Sequence, residues 1–85
     1  MSYRIRIPKR VQRELDALPD TVYARIRERI RDLGDDPRPA GVKKLQSTAR
    51  SYRVRAGTYR IVYEVDDAAQ EIVLITVADR KDVYR

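Results

Sequence analysis

The most regular segment of the chain runs from Ser51 to Glu64 and reads S-Y-R-V-R-A-G-T-Y-R-I-V-Y-E. Tyr52 and Val54 alternate with Arg53 and Arg55. Successive side chains of a β-strand emerge on opposite faces of a sheet, so this alternation is typical of a strand. Gly57 lies in a short turn between the two halves, where it tolerates the positive φ that hairpin turns demand. The pattern therefore predicts a β-hairpin that carries three arginines on one face, Arg53, Arg55 and Arg60. We interpret that face as a phosphate-handling surface.

The segments on either side of the hairpin show the periodicities of strands and helices. Residues 3–7 alternate as a strand does, and apolar residues recur at helical spacing over 11–18 and 22–33. Gly34 is placed to end the second helix. Residues 71–78 form an apolar run without clean alternation, which is typical of a strand buried on both faces.

This order of elements, β-α-α-β-β-β, predicts one α+β domain over residues 1–85. A helical hairpin would pack on one face of a mostly antiparallel sheet, and residues 41–45 would lead through a polar connection to the central hairpin. The other face of the sheet would stay partly open, and the hairpin arginines could gather there.

The charge balance indicates the class of partner. A net charge of +6 and a pI near 10.0 favour anionic partners such as nucleic acid, an acidic protein or a membrane surface. No apolar run approaches the length of about 18 residues needed to span a bilayer, and no apolar region suited to export follows Met1. We therefore expect a cytoplasmic protein.

The chain has neither histidine nor cysteine, which excludes Ser–His and Cys–His nucleophile arrangements. Its adjacent aspartates at 35–36 and 66–67 are interpreted as turn formers, so we expect no metal ion and no cofactor. Arginine, lysine and tyrosine remain. These residues suit phosphoryl transfer within RNA, where positioning and charge stabilisation carry the rate and the ribose 2′-OH supplies the nucleophile.

The combination of motifs resembles the RelE/ParE toxin superfamily, on its RelE side. The hairpin stretch at 51–64 is preceded by K-K-L-Q at 43–46 and followed by an apolar strand and A-D-R-K-D-V-Y-R at 78–85. The resemblance implies a RelE-like fold and the toxin of a type II toxin–antitoxin system. It implies a ribosome-dependent endoribonuclease that cuts mRNA in the A site by 2′-OH attack on the scissile phosphate. It also implies a cognate antitoxin that wraps the toxin surface in a hetero-oligomeric complex.

Carried over position by position, the resemblance implies five catalytic residues: Arg53, Arg55, Arg60, Arg80 and Tyr84. In the family, these positions hold the scissile phosphate, assist proton transfer and stack on a base. The other expected substrate-binding residues are basic: Lys43, Lys44, Arg50, Lys81 and Arg85. Two departures stand out. The hairpin pair is often lysine in the family, whereas arginine stays protonated and is a poor general base. Ala78 and Asp79 occupy positions where Gly-His is common.

Two other functions stay open at this stage. The ParE branch of the superfamily implies a non-nucleolytic toxin that poisons DNA gyrase. A weakened toxin that acts mainly inside its antitoxin complex is a further possibility. The joint presence of Arg60, Arg80 and Tyr84 favours the endoribonuclease, because a gyrase-binding protein has no evident need of that set.

Overall fold

The computed structural model describes residues 2–45 and 50–79, which form two helices and a five-stranded sheet. The elements in chain order are β1 Arg4–Arg6, α1 Lys9–Asp16, α2 Asp20–Asp35, β2 Lys43–Lys44, β3 Ser51–Ala56, β4 Tyr59–Asp66 and β5 Glu71–Asp79. Neither of these helices is long and apolar enough to cross a bilayer.

The sheet has the strand order β1-β5-β4-β3-β2. Only β1 and β5 run parallel, and the other neighbouring strands of the described sheet are antiparallel. The predicted α+β architecture is therefore confirmed. The two-residue strand β2 lies in the segment 41–45, where the sequence predicted no strand.

The predicted hairpin is formed by β3 and β4. Its turn is Gly57-Thr58, and Gly57 has a φ of 65° that favours glycine. Val54 lies opposite Ile61, and both side chains are buried, whereas Arg55 lies opposite Arg60 on the other face. The alternation read from the sequence is therefore the alternation of the structure.

The hydrophobic core lies between the two helices and one face of the sheet. α1 contributes Val11 and Leu15, and α2 contributes an apolar stripe at helical spacing. The sheet contributes every second side chain of its central strands. The buried apolar residues are Val11, Leu15, Ile26, Ile30, Leu33, Val54, Ala56, Ile61, Tyr63, Val65, Ile72, Leu74 and Val77. The face that carries the arginines contributes none of them.

A β-bulge interrupts the alternation of β5. Tyr63 pairs with Leu74, but the preceding residue Val62 pairs with Thr76, so Ile75 is an extra residue. The prediction that β5 is buried on both faces was wrong. Of its apolar side chains only Ile72, Leu74 and Val77 are buried, and all three face the helices. The irregular apolar pattern reflects the bulge.

Gly34 does not end α2 as predicted, because it lies inside the last helical turn and is buried. The Tyr3 amide donates to the Gly34 carbonyl over 2.7 Å. A Cβ added at Gly34 would lie 3.3 Å from the Tyr3 carbonyl oxygen. The glycine therefore allows the N-terminal strand to approach α2 closely.

Candidate nucleic-acid interface

On the face of the sheet that lies away from the core, the neighbouring strands β2, β3 and β4 carry four cations. In the strand register, Lys43 is opposite Arg53, and Arg55 is opposite Arg60. Directly opposed residues of neighbouring strands project from the same face. We call this set, Lys43, Arg53, Arg55 and Arg60, the basic face. Lys43 joins it through the short strand β2, which the sequence did not predict.

The members of the basic face differ in exposure. Lys43 and Arg55 are exposed and Arg53 is half-buried, whereas Arg60 is only 1% exposed and is the largest of the fully buried side chains. β4 is the middle strand of the sheet, so Arg60 has a strand on either side, whereas β3 lies nearer the edge.

Burial fixes the Arg60 side chain in place. Its Nε and Nη1 atoms are buried and make no hydrogen bond to the described residues, although the residue does have a further interaction. Across the sheet it lies between Arg55 of β3 and Ala78 of β5. Arg60 therefore has a second cation on one side and a small side chain on the other. We take it as the centre of the basic face.

The open face changes in charge along the strands. Near the hairpin turn it carries the basic face. Near the opposite end it carries both signs of charge, with Glu64, Asp66 and Glu71 beside Arg4 and Arg6 of β1. Arg50 forms an ion pair with Asp66 at that end, with 2.8 Å between Nη2 and Oδ2. Positive charge therefore predominates beside the turn.

A small recess opens beside the basic face at the hairpin turn. It has a volume of about 80 Å³ and is lined by Arg55, Gly57, Thr58, Tyr59 and Arg60. One water takes about 30 Å³ of liquid volume, so the recess has room for a small anionic group in place of water. It offers that group two guanidinium side chains. The geometry suits a phosphate.

Arg55 also borders a second depression on the other side of the β3 edge. This groove of about 290 Å³ lies along α2, between Arg55 and the helix residues Arg25, Glu28, Arg29 and Asp32. Carboxylates and guanidinium groups alternate there. Its mixed charge separates it from the basic face, where the described side chains nearest the turn are cations.

The structure does not bring all the predicted site residues together. Lys44 lies opposite Tyr52, on the side of the sheet that carries the helices, so it is not part of the basic face. Arg50 lies at the end of the open face far from the hairpin turn, in its pair with Asp66. The remaining predicted residues, Arg80, Lys81, Tyr84 and Arg85, lie outside the described residues.

Sequence reasoning missed a cluster at the far end of the sheet, which we call the Arg38 network. Arg38 Nη2 and Nη1 donate to the two carboxylate oxygens of Asp67 over 2.8 and 3.2 Å, and Arg38 Nε donates to the Tyr52 hydroxyl over 3.1 Å. The Tyr3 hydroxyl donates to Asp67 Oδ1 over 2.7 Å. These bonds lower the pKa of Asp67, through Arg38 first and Tyr3 second, and the bond to Asp67 raises the pKa of Tyr3.

Tyr63 links this network to the core. Its ring stacks on Tyr52 with 6.0 Å between centroids, and its hydroxyl donates to the Pro37 carbonyl over 2.7 Å. Burial raises the pKa of Tyr63 to about 12. These partners are far apart in sequence, so no local pattern could have revealed them. Their contacts with one another make the network structural.

Known proteins are similar to this chain in both sequence and fold. The family described as "ParE toxin of type II toxin-antitoxin system, parDE" matches residues 5–84. Toxin RelG of Mycobacterium tuberculosis is 33% identical over 86 residues, which cover 100% of this chain and 99% of RelG.

Solved structures agree with the sequence comparison. RelE in the archaeal RelE–RelB complex from Pyrococcus horikoshii superposes with a TM-score of 0.83 at 34% identity, over 94% of this chain and 97% of that chain. The isolated E. coli RelE toxin gives a TM-score of 0.81 at 25% identity, over 98% of this chain and 92% of that chain. The chain belongs to the RelE/ParE superfamily of toxins of type II toxin–antitoxin systems.

Proposed function

We propose that this RelE-like toxin is a ribosome-dependent endoribonuclease that cuts mRNA in the decoding A site. The observation that carries the proposal is the basic face, in which the exposed Arg55 lies beside the buried guanidinium of Arg60. The similarity to toxins named RelE and RelG supports it.

The reaction needs charge stabilisation more than it needs a protein nucleophile. The ribose 2′-oxygen attacks the adjacent phosphorus, and the bond from phosphorus to the 5′-oxygen of the next nucleotide breaks. The 2′-OH loses its proton, and the 5′-oxygen gains one as it leaves. Negative charge builds on the phosphate oxygens, where a fixed, partly desolvated cation stabilises the transition state. Arg60 has that position on the basic face.

The exposed cations have a different task. Lys43 and Arg55 are exposed, so they attract the phosphates of the strand and gain free energy from counterion release. Arginine stays protonated near neutral pH, so Arg53 and Arg55 act as charge stabilisers and not as general bases. We propose that Arg80 and Tyr84 complete the site, in proton transfer and in stacking on a base.

Ribosome dependence follows from the size of the site. The recess at the hairpin turn measures only about 80 Å³ and can take one small group. No described groove on this face could hold a flexible strand on both sides of that group. The ribosome would supply the orientation, because it presents the A-site codon in an extended form.

We also propose that a cognate antitoxin neutralises the toxin in a hetero-oligomeric complex. The similar toxin from Pyrococcus horikoshii was solved as a RelE–RelB complex. An antitoxin segment with acidic side chains would match the basic face, and it would keep mRNA away by occupying the same cations.

The test is to add the purified toxin to a translating extract and to map the ends of the cut message. We expect cuts within codons held in the A site, and little cutting of the same RNA without ribosomes. Efficient cutting of naked RNA would contradict the ribosome dependence, and intact message in both reactions would overturn the endoribonuclease.

Poisoning of DNA gyrase is the second candidate, because the matching family is described as a ParE toxin. A gyrase supercoiling assay with the same preparation tests it. We expect supercoiling to continue at its normal rate. Inhibition of supercoiling together with intact message would establish the alternative.

A further inference from the structure

The edge of β5 that faces away from β4 pairs with β1 over its first residues and with side chains of α1 further along. β1 pairs only with residues 71–73, so in the described structure the remaining edge of β5 has no strand neighbour on that side. An open strand edge leaves backbone donors and acceptors to be satisfied by other groups. Here side chains of α1 satisfy them.

Two residues one helical turn apart make these contacts. Arg10 Nη2 donates to the Ile75 carbonyl over 2.6 Å. Glu14 Oε1 accepts the Val77 amide over 3.0 Å, and the Thr76 hydroxyl donates to the Glu14 carboxylate at 3.0 Å. Residues at i and i+4 lie on the same helix face, so α1 holds three consecutive residues of β5. We call this pair, Arg10 and Glu14, the clasp.

The clasp forms hydrogen bonds with the residues at the bulge. Ile75 is the extra residue of β5, and Thr76 and Val77 directly follow it. A bulged residue is left out of the regular ladder, so it needs other partners to persist. The clasp provides such partners on the side of β5 that faces away from β4.

The bulge decides which residue lies next to Arg60. With the extra residue, Ala78 is opposite Arg60, and Val77 is in the core opposite Ile61. Without it, the pairing of Tyr63 with Leu74 would continue unchanged along the strand, and Val77 would be opposite Arg60. A shift by one residue exchanges the two faces of a strand.

That exchange would alter the basic face directly. A branched valine would take the place of the small Ala78 beside the buried guanidinium, so Arg60 could not keep its position.

We propose that Arg10 and Glu14 are positioning residues for the endoribonuclease reaction. They hold the bulge at Ile75 and so keep Ala78 beside Arg60. This inference rests on the proposed function. Neither residue touches the substrate in it, and both act through the register of β5.

The experiment compares full-length Glu14→Ala, Glu14→Gln and Arg10→Ala with wild type in the translating extract. We expect Glu14→Ala to lower kcat about ten- to a hundredfold, since a displacement of about 1 Å at a reacting group can cost that much. KM should change little, because the exposed cations are untouched. Glu14→Gln should restore most of kcat, because its amide oxygen still accepts from the Val77 amide. Arg10→Ala should lower kcat less.

Asp16→Ala is the matched control, because it removes a carboxylate from the same helix, and the one side-chain hydrogen bond of Asp16 within residues 2–45 and 50–79 is with Gln12. It should cleave as wild type does. NMR contacts across the strands read the register independently of activity. In Glu14→Ala, contacts between Arg60 and Ala78 should weaken, and contacts between Arg60 and Val77 should appear.

The outcomes separate the two proposals. Wild type that cuts no message overturns the proposed function and the positioning role together. If wild type cuts and Glu14→Ala keeps both the kcat and the Arg60–Ala78 contacts, only the positioning role is overturned. The same holds if Glu14→Ala loses activity only in proportion to its unfolded fraction and Glu14→Gln restores nothing.

Discussion

Arg55 and Arg60 lie directly opposite each other on β3 and β4, the first exposed and the second 1% exposed. Like charges in directly opposed positions destabilise a sheet. An anion between the two side chains would interact with both guanidinium groups at once. We therefore propose that a phosphate binds beside the hairpin turn, between these two residues.

The burial of Arg60 lets its charge be tested apart from its volume. Arg60→Met keeps most of the side-chain volume, so we expect it to melt near the wild-type temperature. Its cleavage should fall by about a hundred- to a thousandfold, as when one transition-state donor is lost. Arg60→Ala should lose the same activity and also melt earlier, because it leaves a cavity. Melting curves and cleavage rates check both. An active Arg60→Met would remove Arg60 from the reaction.

Lys43 and Lys44 form a matched pair, because they are adjacent in sequence but lie on opposite faces of the sheet. Lys43→Ala should weaken binding to ribosomes that hold an uncleavable 2′-deoxy codon. The slope of log K against log salt should fall by about 0.7, the value for one contact to a single strand. Lys44→Ala should leave the slope unchanged. Both variants should keep their stability within about 0.5 kcal/mol. Equal slopes for the two variants would show that RNA binding does not depend on which face of the sheet carries the lysine.

Tyr63 predicts a loss of stability at alkaline pH. Its pKa is raised to about 12 in the folded chain, because burial disfavours the phenolate. The unfolded chain therefore releases this proton first, and stability falls as the pH rises from about 10 towards 12. Tyr63→Phe should flatten this part of the curve, although it also loses the bond to Pro37. Urea midpoints across the alkaline range measure the slope. An equally steep curve in Tyr63→Phe would assign the effect to other groups.

The Arg38 network predicts a loss of stability at acid pH. Arg38 and then Tyr3 lower the pKa of Asp67 below its ordinary value of 3.8. The stabilisation is present above that value and is lost as the pH falls through the folded pKa. Asp67→Asn should make the midpoint of urea unfolding less sensitive to acid. Arg38→Met should do the same while it keeps the carboxylate. If neither variant changes the acid slope, the network does not contribute to stability.

The sequence by itself determined the elements whose signals are local. Alternation around Gly57 specified the hairpin and its arginine-bearing side, because successive strand side chains point to opposite faces in any sheet. Apolar residues at helical spacing specified the two helices in the same way. The family resemblance, read from motifs at 51–64 and 78–85, was confirmed by the comparisons.

Other features follow only from the tertiary structure, because they depend on which segments of the chain lie next to each other after folding. Arg60 is buried because β4 lies in the middle of the sheet, and strand order cannot be read from alternation. Lys43 belongs to the basic face and Lys44 does not, because β2 pairs with β3 in one register. Arg38 meets Asp67 only after the chain has folded, since 29 positions separate them. Periodicity fixes the direction of a side chain relative to its own backbone, whereas burial, pairing and charge environment arise from segments distant in sequence.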